Sequence, residues 1–388
     1  MDVLATPSRE RIVEHWKNNM RILIVGAGIA GLAMHRALSQ RGFQASIVER
    51  NNFAGVGGAA LFLPGNGVRA IGQLGLRDAL LGISHPIARQ RFFDETGRLL
   101  NEIDADAFWR DVAPCRTMTR SNLWDLLRRG VPDDAIQYRR ILNIDSDCYR
   151  SRVTYQDGGV EAYDLVIGAD GVNSTVRESV FPDAPCPEYA GNVCWRFIVP
   201  NVCDISDWTV MFGTRMSLLG KPVSASELYV YADISADNAS RGAYSSSTPL
   251  KPLFQDIAGP LYPALELSAK TKVHFTELVR LRLDAWCRNR VVLVGDAAHA
   301  SPPSMAQGAS MAIEDAIVLA GELADTLCVD TALTRYEARR RKRADWVHRQ
   351  CLSRDAMRRF PRRLRNMLLR LAGAHLYQRA YGLLKAPI

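Results

Sequence analysis

The thirty residues from Arg21 to Arg50 constrain what this chain can fold into more than any other stretch. An apolar run from Ile22 to Val25 enters Gly26-Ala27-Gly28-Ile29-Ala30-Gly31, a helix-compatible segment ends near Gly42, and a second apolar run, Ala45 to Val48, leads to Glu49-Arg50. The pattern predicts a strand, turn, helix, strand unit in which each glycine has its own reason to lack a side chain. Gly26 permits the tight turn, Gly28 lets backbone approach a pyrophosphate, and Gly31 lets the helix pack on the strand. The free N–H groups and positive dipole end of the helix favour an anion at that point, beside Ala30. Glu49 falls where an acidic side chain accepts hydrogen bonds from ribose hydroxyls. The expectation is a bound dinucleotide with an unphosphorylated 2′-hydroxyl, contacted also by Arg50. Whether it is NAD or FAD is left to the rest of the chain.

At 388 residues, 47% apolar and 23% charged, the chain has core enough for two or three globular domains. No apolar run approaches the length of a membrane-spanning helix, and the first 19 residues have no secretory h-region. Eight cysteines are scattered without a Cys-x-x-Cys spacing or a paired His cluster, which predicts reduced thiols in a cytoplasmic protein and no metal site. The formal charge of +8 suggests nucleic acid until it is located. Between Thr331 and Ile388 there are 16 basic and 3 acidic residues, so the remainder of the chain is net acidic. The basic excess belongs to the tail alone, with no nucleic-acid recognition module beside it.

In chain order, Gly55 to Asn66 is dense in glycine and is expected as a loop near a ligand, with a helix from Gly67 to about Leu81 carrying Arg69 as a surface charge. Arg89 to Ile103 predicts a hairpin that turns near Glu95 to Gly97 and starts a second sheet. Met118 to Leu127 starts a helix capped by Ser121 or Asn122, with Arg120 just before it as a solvated charge or a partner for the pyrophosphate. Leu165 to Ile167 is a buried strand that runs into Gly168-Ala169-Asp170-Gly171, with Ser174 or Asn173 as a cap. Asp170 presents an acceptor there, either to a ligand or to its own turn. From Cys186 to Lys272 strand-like runs predict an inserted, mostly antiparallel sheet on which Trp195, Arg196, Phe197, Phe212, Arg215, Tyr229 and Tyr231 concentrate. Such a sheet suits packing and equally one wall of an aromatic pocket. Val291 to Val294 is another buried strand, Gly295-Asp296 its turn, Pro302-Pro303 a rigid segment, and Gly308 opens a long helix. His299 is read as structural. From Leu333 to Lys385 the chain is helical, basic and broken at Pro361; the plain reading is a closing helix pair with a solvated basic face, and the sharper one a peripheral contact with a membrane surface.

Taken together, three of these stretches make the chain resemble the single-component FAD-dependent monooxygenases of the 4-hydroxybenzoate hydroxylase type. Gly26, Gly28, Gly31 and Glu49 match the family's dinucleotide fingerprint, Gly168-Ala169-Asp170-Gly171 through Ser174 and Arg177 its mid-chain Asp-Gly motif, and Gly295-Asp296-Ala297-Ala298-His299 its late Gly-Asp motif. The resemblance implies Asp296 on the ribityl chain of FAD, Arg120 near its phosphates, and Pro303, Gln307, Gly308 and Ala309 beside its ring system. Where the family often has Gly-Gln-Gly the chain has Ala306-Gln307-Gly308. Trp195-Arg196-Phe197 is not the Trp-x-Trp-x-Ile-Pro signature of flavin-dependent halogenases, which disfavours halogenation.

The implied fold is α/β: a Rossmann-like FAD-binding domain (20–88, 116–185 and 276–330) with an inserted antiparallel substrate domain (89–115 and 186–275), an N-terminal extension (1–19) and C-terminal basic helices (331–388). The implied activity is hydroxylation of an aromatic or polycyclic small molecule with NAD(P)H and dioxygen, through a C4a-hydroperoxyflavin, by a monomer or homodimer. Epoxidation, ring-forming oxygenation and flavin-dependent reduction are the alternatives. Trp195, Arg196, Tyr229, Tyr231 and Pro302 are the expected substrate contacts, with Arg196 and Tyr231 as catalytic candidates; Tyr231 or His274 would be the base if a phenol must lose its proton.

Overall fold

All four residues of Ile22–Val25 are buried, which a strand can satisfy only when covered on both faces. The computed structural model, which describes residue 14, residues 16–51 and residues 59–388, places this strand inside a six-stranded sheet. Its neighbours, Leu165–Gly168 and Ala45–Glu49, pair with it in parallel, and Val291–Leu293 pairs in parallel with Leu165–Gly168. The three stretches singled out in the sequence are therefore adjacent strands of one sheet, and their turns fall at the same end. Ligands of open parallel sheets bind outside the carboxyl ends of the strands.

The helix after the first strand is Ile29–Ser39, and the chain turns back through Gly42 at φ +82°. The helix expected from Gly67 to Leu81 is two, Gly65–Gln73 and Arg77–Ile83, separated at Gly75, which is held at φ +72°. Part of the expected glycine-dense loop, residues 55–58, lies outside the described residues, as does most of the N-terminal extension. The helix Arg120–Arg128 is capped not by Ser121 or Asn122 but by Thr119, whose Oγ1 accepts the Asn122 N–H at 3.1 Å. Ser174 caps Thr175–Val180 as expected.

A second, seven-stranded sheet takes its strands in the order 274–280, 188–200, 227–235, 216–222, 208–212, 89–94 and 99–104. All its pairings but one are antiparallel. Residues 276–280, grouped by sequence with the nucleotide-binding unit, belong to this sheet. Strand Met216–Pro222 has no counterpart among the sequence-based strands, because Gly220 and Pro222 interrupt its alternation. One face packs on a separate core of Val193, Trp195, Phe197, Val230 and Phe254.

Two long helices, Val329–Arg358 and Arg362–Lys385, close the molecule and break at Pro361. Arg340, Arg343 and Arg365 on them are buried, so the tail is not simply a solvated basic face. Arg69, expected at the surface, donates to the carbonyls of Lys385 at 2.7 Å and Ala386 at 2.6 Å and caps the end of the last helix. Among the described residues no helix is long and apolar enough to cross a membrane, and no group of three or more His, Cys, Asp or Glu could hold a metal ion.

Candidate active site

Segments far apart in the chain meet along one cleft of about 400 Å³. The first strand–turn–helix unit contributes Gly26, Gly28, Ala30, Glu49 and Arg50; the mid-chain turn contributes Asp170 and Gly171; the late segment contributes Asp296, Gly308 and Ala309. Arg120 completes the wall, together with Arg139 and Arg140, which the sequence did not single out.

Steric detail separates the glycines. At Gly26 a Cβ would lie 2.7 Å from the Ala169 carbonyl oxygen, so the first turn and the mid-chain turn touch through the missing side chain. At Gly31 a Cβ would lie 1.9 Å from the Gly26 oxygen, which fixes how the helix sits on the turn. At Gly28 nothing lies within 4 Å, and the space belongs to the cleft. The helix that begins there has no side-chain cap and no acidic residue in its first turn, so its end is electropositive and open. Gly295, at φ +59°, supports the wall from behind, between Ala30 and Ala312.

The carboxylates divide into those already engaged and one that is free. Glu49 accepts the Ala27 N–H at 2.9 Å and the Asn51 N–H at 3.1 Å, bracing the glycine turn. Asp170 accepts from Ser174 Oγ at 2.6 Å and from the Val176 N–H at 3.1 Å, so its acceptor serves its own turn; burial raises its pKa. Asp296 opens onto the cleft with no hydrogen bond or ion pair among the described residues. The Arg120 guanidinium is likewise without a hydrogen bond there. Desolvation by the surrounding protein lowers its pKa, Asp296 opposes that shift, and Arg196 adds to it. Arg177 staples the second and third motifs together by donating to Val172 O at 2.8 Å and Ala297 O at 3.2 Å.

Behind the cleft lies a buried polar network. Gln307 and Asn66 exchange amide hydrogen bonds at 2.9 and 3.1 Å, and Asn66 also donates to Glu314 at 2.9 Å. Arg340 reaches Glu314 at 2.8 Å and Asp315 at 2.7 Å, and Asp315 meets His299 at 2.7 Å. Burial would raise the Asp315 pKa, but the charges of His299 and Arg340 outweigh it and hold the carboxylate below its usual range. His299 is thus a structural partner, as read from the sequence. Gln307 is held in this network and the Pro302 carbonyl accepts from Cys351 Sγ at 3.3 Å; neither is among the residues lining the cleft described above, and Pro303, between them in sequence, is exposed. Ala306 sits at φ +49°, where a glycine would avoid about 1 kcal/mol of strain.

The seven-stranded sheet corrects one expected substrate contact. Trp195 is fully buried on the far face, packed against Tyr244, Phe254 and Phe275 with its Nε1 on Ser245 O at 2.7 Å. Adjacent residues of a strand point to opposite faces, so Trp195 and Arg196 could not both have met one ligand. Arg196 pairs in register with Tyr231, and Ile198 with Tyr229, which puts Arg196, Tyr229 and Tyr231 on a common face. Burial and then Asp233 push the Tyr231 phenol well above its ordinary pKa, which favours its neutral form. His274 lies opposite Arg196, and its pKa is lowered by burial, Lys272 and Arg196. A residue the sequence did not flag, Lys221, stands opposite Tyr229 on the next strand.

Donors at one part of the cleft, the helix end and Arg120, suit phosphates; acceptors at others, Glu49 and Asp296, suit hydroxyls. That donor set fits FAD. Residues 19–350 match the family model described as FAD binding domain. The 2-heptyl-3-hydroxy-4(1H)-quinolone synthase of Pseudomonas aeruginosa is 32% identical over 312 residues, 78% of this chain and 80% of the relative. The aurachin C monooxygenase/isomerase of Stigmatella aurantiaca is 30% identical over 342 residues, 85% of this chain and 87% of the relative. Among solved structures, a variant of Klebsiella pneumoniae HpxO complexed with FAD superposes with a TM-score of 0.86 at 25% identity, covering 95% of this chain and 100% of that one. The tetrameric 2-methyl-3-hydroxypyridine-5-carboxylic acid oxygenase superposes with a TM-score of 0.76 at 28% identity, covering 90% and 95%.

Proposed function

The chain belongs to the FAD-dependent monooxygenases that carry this FAD binding domain, and from that premise we propose that its cleft holds FAD beside a sheet face that receives an oxygen-bearing aromatic substrate. The helix end at Gly28 and Arg120 would take the pyrophosphate, Glu49 the ribose, and Asp296 the ribityl hydroxyls. Reduced by NAD(P)H, bound FAD supplies the activated dioxygen from which one oxygen atom enters the substrate. The chain's own contribution is to position that substrate and to exclude water, for which the aromatic face around Tyr229 and Tyr231 is suited. The observation that carries this reading is that Gly28, Asp170 and Asp296 line one cleft.

The relatives' names favour a substrate class. A 3-hydroxy-4(1H)-quinolone synthase, a urate hydroxylase of Klebsiella pneumoniae and a 3-hydroxypyridine carboxylic acid oxygenase all point to planar heteroaromatics that carry oxygen substituents. Hydroxylation of such a ring is the proposed reaction. Purified protein should be yellow, consume NAD(P)H faster when such a compound is added, and place one atom of labelled dioxygen in the product. Colourless protein after FAD addition refutes the reading, and turnover without label indicates a reductase instead.

The division of labour expected from the sequence is supported by which sheet each segment joins, with residues 276–280 the exception. Eight free thiols suit a reducing, cytoplasmic setting. We also propose a peripheral membrane contact by the last helix. Its outward side shows Leu364, Met367 and Leu371, the last 81% exposed, flanked by Arg363, Arg370 and Arg379, and no acidic residue follows Asp355. Co-sedimentation with anionic vesicles should fall on Leu371→Glu; equal pelleting of both proteins counts against it.

A further inference from the structure

Lys221 is a buried lysine for which the fold provides no counter-charge. It is 4% exposed, and among the described residues it makes no hydrogen bond and no ion pair. What surrounds its Nζ is aromatic: ring centres of Tyr229, Trp208 and Phe62 lie at 4.8, 5.1 and 5.7 Å. The other buried arginines among the described residues all have acceptors: Arg177 and Arg365, which make no ion pair, donate to backbone carbonyls, and two more have carboxylates. Arg340 has Glu314 and Asp315, and Arg343 has Glu314.

Two more donors on the same face lack acceptors. Trp208 Nε1 and Arg196 Nε are both buried and unpartnered. Register joins Arg196 to Lys221, since Tyr229 is opposite Lys221, Tyr231 is opposite Leu219 and Arg196 is opposite Tyr231, and Trp208 meets Lys221 through its ring. Arg196 in turn acts electrostatically on Arg120 at the cleft and on Tyr229 beside Lys221. Arg196 also donates through Nη2 to Thr276 Oγ1, but Lys221 Nζ, Trp208 Nε1 and Arg196 Nε have no acceptor among the described residues, and donors so placed call for an acceptor that arrives with a ligand.

Resting on the aromatic-oxygenation reading above, we propose that Lys221 pairs with an ionised hydroxyl substituent on the substrate's aromatic ring, beside the three aromatic side chains. Where the amine is neutral it takes the hydroxyl proton itself: the substrate O–H bond breaks, an N–H bond forms, and aryloxide and ammonium remain in contact. The aryloxide places electron density on the ring carbons, which favours attack by electrophilic oxygen. Burial pushes the Lys221 pKa down to about 7, which makes a neutral amine available near neutrality. Tyr229, the titratable group that faces it, is held in its neutral form by burial and does not compete for the proton.

The test uses FAD-loaded wild type and Lys221→Met, a swap that keeps length and removes the amine. Each is titrated with 4-nitrophenol and with 4-nitroanisole below the phenol's own pKa, while difference spectra report the phenolate band. Wild type should hold 4-nitrophenol as phenolate and bind it at least about tenfold more tightly than the variant, in which it stays neutral. The anisole should bind both alike, and the variant should melt no lower than wild type. Equal affinity and equal phenolate fraction in the two proteins overturn the proposal, as does a variant that melts lower and sheds FAD, which marks a structural box. Wild type that holds no FAD overturns the oxygenase reading and this one together; yellow wild type with unchanged nitrophenol binding in the variant overturns this one alone.

Discussion

A single amine shows how magnitudes decide a role. Three cation–π contacts return about 0.5–2 kcal/mol each, whereas taking an ammonium out of water costs several kcal/mol. The rings around Lys221 at best offset that cost, so nothing inside the fold explains a lysine rather than a methionine. Its folded pKa of about 7 lies below the unfolded 10.5, so between those values the unfolded chain binds more protons and stability rises with pH. Thermal melts from pH 7 upward should show this rise in wild type and a flatter curve in Lys221→Met. Superimposable curves would mean that the amine is not isolated. Trp195 teaches the opposite lesson at the same scale. Its aromatic ring invited a pocket role, but strand parity with Arg196 had already assigned one of the two to the far face.

At the scale of elements, the helix Ile29–Ser39 and its N-cap carry two glycines, Gly31 and Gly28, whose substitution should separate binding from folding. Gly28→Ala meets nothing in the protein, so the melting temperature without added FAD should match wild type while FAD affinity falls by about tenfold or more, because the methyl occupies the space a pyrophosphate would use. Gly31→Ala drives a Cβ into the Gly26 carbonyl, an overpacking that should cost about 1–3 kcal/mol and lower the melting temperature whether or not FAD is present. Two variants that lose FAD and stability in parallel would refute the distinction. Elements also limited what could be read in advance. The four central strands of the first sheet, Ile22–Val25, Ala45–Glu49, Leu165–Gly168 and Val291–Leu293, carry apolar runs legible in the sequence, whereas the edge strand Cys287–Arg288 carries none. Met216–Pro222, which carries Lys221, was not legible either, since Gly220 and Pro222 disguise it and only its neighbours on both sides make it a strand.

For the molecule as a whole, the basic tail is a clamp as well as a surface. Arg340 and Arg343 reach back to Glu314, Arg358 reaches Asp233 in the seven-stranded sheet, and Arg69 caps the last helix from the nucleotide side. Helices from the end of the chain therefore join both sheets across the candidate site. Removing Arg340 as Arg340→Ala leaves Glu314 and Asp315 short of a buried counter-charge, which should destabilise by about 3–5 kcal/mol. The melting temperature should drop and FAD retention with it, because Asn66 and Gln307 belong to the same network. A melting temperature within error of wild type would show that the remaining partners, Arg343 and His299, suffice.

The glycine turns and the acidic residues along the cofactor cleft are determined by the sequence itself, whereas Arg139 and Arg140 on its wall are not. A turn that binds phosphates is a local object: glycines, a helix start and an acidic residue act at fixed separations along the chain, so spacing alone announces them. The substrate side was decided only by the tertiary structure. Asn66 and Gln307 meet across 241 residues, Lys221 is isolated because three rings from three separate strands close on it, and Arg358 finds Asp233 through the packing of a helix on a sheet. Burial, pairing and the lack of pairing are properties of neighbours in space, and neighbours in space are not written in the order of the residues.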